Sequence, residues 1–197
     1  MNIVFDLGGV VFRWQPEVLV ASVFEDRRIR ELVLREIIQH PDWIELDRGT
    51  LPLANAIRRG AARTGLPDPE IGRLFGAVPI SLTPIDETIA LIRRLAPTSN
   101  RLFVLSNMHH ASIAYLEEQH DFWGAFDGLV ISCRINTVKP ETRIYEYLLA
   151  EYELDPAETI FIDDLQENLD AAALLGIRTI RFMDSDQCER ALLEHET

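Results

Sequence analysis

Four places in the chain set a reactive side chain against the end of an apolar run or the start of a helix. In IVFDLGGVV, Asp6 follows Ile3, Val4 and Phe5 directly, and Gly8 and Gly9 come next. Such glycines permit a tight turn and leave backbone N–H groups open to an anion. The run RLFVLSN ends on Ser106 and Asn107, a hydroxyl and an amide able to donate to an oxyanion. Lys139 precedes Pro140 in TVKPETRIY, where the helix dipole offers an ammonium nothing and another partner is required. FIDDLQEN places Asp163 beside Asp164. This pair and Asp6, three carboxylates in all, would repel one another if they converged without a cation among them, and hard oxygen donors of this kind suit magnesium. Each place also has a plain local use: a turn cap at Asp6, a helix cap at Ser106–Asn107, an acidic helix start at Asp163–Asp164.

The elements that must carry these groups are short apolar strands alternating with helices. Strands are expected at 2–5, 101–106, 128–132, 159–162 and 178–182. Helical period follows in TPIDETIALIRRLA, with Thr83 as cap and Pro84 at its first position, and in HASIAYLEEQH, ETRIYEYLLAEY and ENLDAAALLG, stopped at Gly176. Alternation of this kind predicts an α/β fold, a Rossmann-like parallel sheet sandwiched by helices. Residues 14–82 break the rhythm with EVLVASVF, IRELVLREII, LPLANAIRRGAAR and DPEIGRLFG, four helical stretches without a strand between them. The expected organisation is a core of 1–13 and 83–197 with a small helical cap, 14–82, inserted after the first strand. In parallel sheets the ligand crevice lies at the carboxyl ends of the strands, where Asp6 falls.

A length of 197 residues is enough for one such core. The net charge of −13 argues against nucleic-acid binding, because phosphate backbones are held by clustered Lys and Arg. An anionic ligand would need a local positive centre to offset that field. Cys133 and Cys188 stand far apart in no metal-like spacing, as in a reduced cytoplasmic protein. No apolar run reaches the ~18 residues of a membrane span. The expected partner is therefore a small molecule, with no nucleic acid and no membrane, and the chain a monomer or homodimer.

The ordered set FDLGGVV, LSN, VKPETRIY and IDDLQEN resembles the haloacid dehalogenase-like hydrolase superfamily and spans almost the whole chain. DRGTL in the insert and Asn168 after the acidic pair resemble the capped subgroup containing bacterial glucose-1-phosphate phosphatases and the phosphatase domain of epoxide hydrolases. The resemblance implies a magnesium-dependent phosphatase acting on a small phosphorylated metabolite, a hexose 1-phosphate being favoured. It makes Asp6 the nucleophile that forms an aspartyl phosphate, with Lys139 and Ser106 beside it. It assigns Mg²⁺ to Asp6, the Gly8 carbonyl and Asp164, and phosphate binding to Gly8, Gly9, Ser106, Asn107 and Lys139. Asp163 would reach the metal through water or orient Lys139, and Asn168 would fix the acidic loop.

The departure lies at Gly8. Most phosphatases of this superfamily carry a second Asp there, as general acid and base, whereas the glucose-1-phosphate phosphatases also carry Gly. Positioned acid–base groups contribute about 10²–10⁴-fold, so a good leaving group, such as the anomeric oxygen of a sugar 1-phosphate, fits this site best. His109 and His110, imidazoles directly after the LSN motif, are read as facing solvent or substrate passively from the first turn of a helix, His109 counting with Trp14 and Arg48 as a candidate substrate contact. Trp14, Trp43 and Arg48 could face the entrance and select the substrate, with a salt bridge in the DRG turn as the duller use of Arg48. Two alternatives use the same fold: a dehalogenase acting on carbon, which the carboxylate pair opposes, and a catalytically weak ligand-binding protein. A phosphorylatable switch of the response-regulator type would place its acidic pair first, not last.

Overall fold

Ile3 and Phe5 join the apolar cluster on one side of the first strand and Val4 the cluster on the other, and all three are fully buried. A strand that is apolar on both faces is stable only where both faces are covered, which a parallel sheet between helices provides. The computed structural model of the protein, which describes residues 1–195, has that sheet. Its strands are β1 (Asn2–Phe5), β2 (Arg101–Ser106), β3 (Gly128–Ile131), β4 (Thr159–Asp163) and β5 (Arg178–Arg181), all parallel, in the order β3-β2-β1-β4-β5. The expected strands fall within a residue of these. Of the expected core segment 83–197, Glu196 and Thr197 lie outside the described residues.

The order places β1 in the middle, flanked by β2 and β4, in register Phe5 with Val104 and Phe5 with Ile162. The residues that follow these strands are therefore neighbours at one sheet edge. Between β1 and β2 the chain forms α1 (Pro16–Val23), α2 (Arg27–Val33), a π-helical turn (Leu34–Ile38), α3 (Pro41–Arg48), α4 (Leu53–Thr64), α5 (Asp68–Ser81) and α6 (Asp86–Leu95). Helix α3 is absent from the sequence reading; its eight residues are short and mostly polar, and it starts from His40, whose Nδ1 accepts from Asp42 N–H at 3.0 Å. Helices α1–α5 enclose an apolar cluster of their own that includes Leu19, Val33, Ile37, Ile71 and Leu74. The remaining helices, α7 (His110–Gln119), α8 (Ser132–Ile135), α9 (Thr142–Glu151), α10 (Gln166–Ala173) and α11 (Ser185–His195), belong to the sheet. Gly176, at φ +84°, follows α10 as expected of a stop.

Thr83 and Pro84 do not open α6. The helix starts two residues later, at Asp86. Residues 83–85 instead run against 11–13: Arg13 N–H donates to the Thr83 carbonyl and Ile85 N–H to the Val11 carbonyl, both at 2.8 Å. The segment leaving the sheet and the segment returning to it are thus joined by an antiparallel bridge, Phe12 opposite Pro84, which satisfies these two N–H groups across the crossing. Among the described residues, no helix is long and apolar enough to cross a membrane.

The inserted cluster is densely built around Leu74, which is fully buried, while Leu174 at the end of α10 is 86% exposed. Leu74→Ala is expected to lower unfolding free energy by about 2–5 kcal/mol, and Leu174→Ala to change it by no more than about 0.5 kcal/mol. Urea unfolding of the two variants checks this; equal effects would refute the assigned packing.

Candidate active site

Lys139 stands at the centre of the sheet edge with its ammonium almost wholly buried. Its Nζ lies 2.9 Å from Asp6 Oδ1 and 2.6 Å from Asp163 Oδ2, and 5.3 Å from the ring centre of Phe161. The lysine is held there by its backbone. Asn107 accepts from Lys139 N–H through Oδ1 at 2.8 Å and donates from Nδ2 to the Lys139 carbonyl at 2.9 Å. The Asn107 carbonyl oxygen and one amide N–H are therefore committed to placing Lys139, while the residue still lines the cavity and its second amide N–H is not used by Lys139.

Asp163 is fully buried, and both of its oxygens are occupied. Asn168 Nδ2 donates to Oδ1 and Oδ2, each at 3.1 Å, and Leu165 N–H donates to Oδ1 at 2.8 Å. Asn168 is itself fixed from below by Tyr145, whose hydroxyl donates to the Asn168 carbonyl at 2.9 Å. Of the two uses expected for Asp163, this geometry matches the orientation of Lys139.

Asp6 is buried and accepts from Leu7 N–H through Oδ1 at 2.7 Å. Burial pushes its carboxyl up to about 7, with Asp163 adding to the rise and the ammonium of Lys139 and the Ser106 hydroxyl opposing it. Burial likewise works against charging Lys139, but Asp6 and Asp163 outweigh it and hold the ammonium above the ordinary lysine value. Asp164, half-buried, is raised first by burial and then by Asp163. Carboxylate oxygens of Asp6, Asp163 and Asp164 come within 4.8 Å of one another. Three carboxylates against one ammonium leave an excess of two negative charges, the amount a divalent cation would cancel. The all-oxygen donor set fits magnesium.

Gly9 takes a part other than the one expected. Its N–H donates to the Phe12 carbonyl at 2.7 Å, so it is not open to phosphate. Its backbone has φ +81°, and a Cβ there would fall 2.5 Å from Asp164 Oδ2. Glycine at this position is a steric requirement for the approach of Asp164 to the edge. At Gly8, by contrast, a Cβ would meet only Trp14 Cβ, at 3.9 Å.

Asp6, Gly8, Asn107, Lys139, Asp164 and Asn168 open into one cavity of about 300 Å³. Its upper walls are largely apolar, formed by Trp14, Trp43, Val78, Leu82, Met108 and Leu165. Trp14 and Trp43 pack at 5.6 Å between ring centres, and Trp43 stacks on Phe75 at 5.8 Å. Ser106 lies behind this surface, fully buried next to Asp6.

Arg48 does not reach the cavity. Its guanidinium is drawn away by Glu141 at 2.7 Å and Glu45 at 3.2 Å, and Asn136 Nδ2 donates to its carbonyl at 3.0 Å. The pairing with Arg48 holds the Glu141 carboxyl down to about 2. The expected contact of Arg48 with substrate is thus replaced by a tie between α3 and the start of α9.

His109, a candidate substrate contact in the sequence, is at the cavity but not loosely placed. It is buried, lines the cavity, and has both ring nitrogens engaged, Nδ1 with Asp47 Oδ1 at 3.2 Å and Nε2 with Ser112 Oγ at 3.0 Å. His110 is the exposed one. Asp47 and Ser112 were not singled out by sequence reasoning. The only trace of Asp47 is its place in the DRGTL stretch, and Ser112 has none.

The family model of haloacid dehalogenase-like hydrolases matches residues 1–176. The chain is 30% identical over 182 residues to the sesquiterpene phosphatase astK of Aspergillus oryzae, covering 92% of this chain and 89% of that protein. It is 25% identical over 193 residues to the drimenol cyclase drtB of Aspergillus calidoustus, but spans only 35% of that longer protein. Its fold is similar to a HAD family enzyme of Bacteroides thetaiotaomicron solved with magnesium and inorganic phosphate, with a TM-score of 0.73, 21% identity and coverage of 92% and 93% of the two chains.

Removing the ammonium while leaving its acids tests the charge balance of the edge. Lys139→Met leaves Asp6 and Asp163 buried against each other, and loss of one partner of a buried pair typically costs about 3–5 kcal/mol. That loss is expected in thermal or urea unfolding with EDTA present; a variant as stable as the parent would refute the pairing.

Proposed function

The chain belongs to the haloacid dehalogenase-like hydrolase family, and we propose that it is a magnesium-dependent phosphomonoesterase whose small substrate has an apolar body. One observation carries this reading: a buried nucleophile-type carboxylate, Asp6, paired with Lys139 at the floor of a cavity whose upper walls are mostly apolar.

Asp6 attacks phosphorus, the bond to the ester oxygen breaks, and an aspartyl phosphate forms on Asp6 that water then cleaves. Catalysis of such a loose, strongly negative transition state rests on positioning and charge compensation. Lys139 supplies a fixed positive charge, because Asn107 holds its backbone and Asp163 its ammonium. The Ser106 hydroxyl, buried beside Asp6, favours the charged form of its carboxylate. Asp6, Asp164 and the Gly8 carbonyl would hold Mg²⁺, which supplies charge neutralisation of the phosphoryl oxygens when bound. Burial otherwise leaves the Asp6 carboxyl at about 7, so its availability as an anion near neutral pH depends on positive charge beside it.

An apolar body is favoured by Trp14, Trp43, Val78, Leu82, Met108 and Leu165, and by similarity to a protein named a sesquiterpene phosphatase. A hexose 1-phosphate is the second reading, favoured by Gly8, since a site without a carboxylate there suits an acidic leaving group. A dehalogenase is disfavoured: among the described residues the cavity carries one cation, Lys139, already shared by two acids, and no arginine to receive a haloacid carboxylate. A catalytically weak ligand-binding protein would bind the same esters without releasing phosphate.

Phosphate release is expected from straight-chain alkyl phosphates, with kcat/KM rising about fourfold per buried methylene, and exceeding that for glucose 1-phosphate. Asp6→Asn or EDTA should abolish turnover of every ester. A flat response to chain length with better turnover of glucose 1-phosphate would select the second reading. Independently of turnover, Mg²⁺ at 100 times its Kd is expected to stabilise the parent by about 2.7 kcal/mol and Asp164→Asn far less; equal melting shifts in the two would refute the metal site.

A further inference from the structure

We propose that His109 and Ser112 form the proton relay of this phosphatase, positioned by Asp47, in place of the carboxylate that Gly8 lacks. The inference rests on the phosphomonoesterase reading and adds the missing proton carrier. An aliphatic alcohol is a poor leaving group, with a conjugate-acid proton that must be supplied as the P–O bond breaks. Among the described residues lining the cavity, the titratable side chains are Asp6, Asp47, His109, Lys139 and Asp164. Asp6 is the attacking group, Lys139 is pinned between two acids, and Asp164 belongs to the cation edge. His109 and Asp47 remain.

The two are arranged for transfer. The Asp47 carboxylate accepts from Nδ1 of His109 and so fixes the ring with Nδ1 protonated, leaving Nε2 toward Ser112 Oγ. Trp43 meets the imidazole edge-on, with ring centres 6.0 Å apart, and keeps the ring from turning. Asp47 is itself fixed by its backbone, whose carbonyl accepts from Ser132 Oγ at 2.5 Å; the same hydroxyl accepts from Met108 N–H at 2.9 Å. One serine therefore ties Asp47 on α3 to the segment that carries His109. His109 and Ser112 line the same cavity as Asp6, and the space beside Gly8 is open.

In the first half-reaction the Asp6 oxygen bonds to phosphorus and the ester P–O bond breaks. The leaving oxygen takes the proton of Ser112 Oγ, which is refilled from Nε2–H of the His109 imidazolium. In the second half, water bonds to phosphorus, the Asp6–phosphorus bond breaks, and the water proton returns through Ser112 to Nε2. Asp47 exchanges no proton in either half-reaction and acts through His109, as a positioning residue.

The test compares alkyl and p-nitrophenyl phosphates with Mg²⁺ present. In His109→Gln the ratio of kcat/KM for alkyl over aryl ester is expected to fall about 10²-fold, because only the alkyl leaving group needs the proton. Slowed hydrolysis of the intermediate should also give a burst of one nitrophenol per protein. Adding Gly8→Asp to His109→Gln, which the open space permits, should restore the ratio, and imidazole should partly restore His109→Ala. Asp47→Asn should lower the ratio by a smaller factor. An unchanged ratio in His109→Gln, whether total activity falls or not, overturns the relay while leaving the phosphatase reading intact. Absence of turnover of every ester by the parent protein overturns both.

Discussion

The structure depends on burying a lysine among aspartates at the carboxyl edge of a parallel sheet. An ammonium and two carboxylates withdrawn from water are costly unless their geometry and hydrogen bonds are complete. Here they are nearly complete for Asp163, which receives Lys139, Asn168 and the Leu165 N–H, and for Lys139, which is held at backbone and side chain. Asp6 and Asp164 are served less fully, and it is on their side that charge is left over. The imbalance is directional: it faces the cavity, where a divalent cation would cancel it.

Sheet topology makes that arrangement possible. Because β1 lies between β2 and β4, Asp6, Ser106 and Asp163 are neighbours although they are far apart in the chain. Lys139 follows no strand directly and reaches the edge only because Asn107 grips its backbone. Tyr145, deep on one face, stabilises Asn168 and through it the acidic loop. Packing below the sheet edge and chemistry above it are thus linked through side chains that never meet a ligand.

The inserted helices are tied to the sheet near the cavity and at their root. Residues 11–13 and 83–85 pair at the root, and at the far end of α3 Asp47 and Arg48 contact His109, Ser132, Asn136 and Glu141. With α3 secured, Trp43 and Trp14 lie over the charged floor and supply an apolar wall. The cavity thereby sets charged side chains at its floor beneath a largely apolar wall, the arrangement on which the proposed substrate class rests.

The strands, the parallel sheet and the edge groups Asp6, Lys139, Asp163 and Asp164 were legible in the sequence because apolar runs and turn residues are local signals. A buried strand must be apolar over its own few residues, and a charge at its end is visible whatever the rest of the chain does. Tertiary structure alone decided which side chains are already occupied. Gly9 reads as an anion-binding turn until Asp164 is found against its α-carbon, and Arg48 as a substrate contact until Glu45 and Glu141 claim it, while the grip of Asn107 on the Lys139 backbone has no trace in the chain. Ser112 meets His109 three residues away at the start of α7, but Asp47 meets His109 only because α3 folds over that start, and no periodicity encodes a contact between residues 62 positions apart. Hydrogen bonds and ion pairs are satisfied by whichever partner folding brings near, so a residue's chemical type is written in the chain while its availability is not.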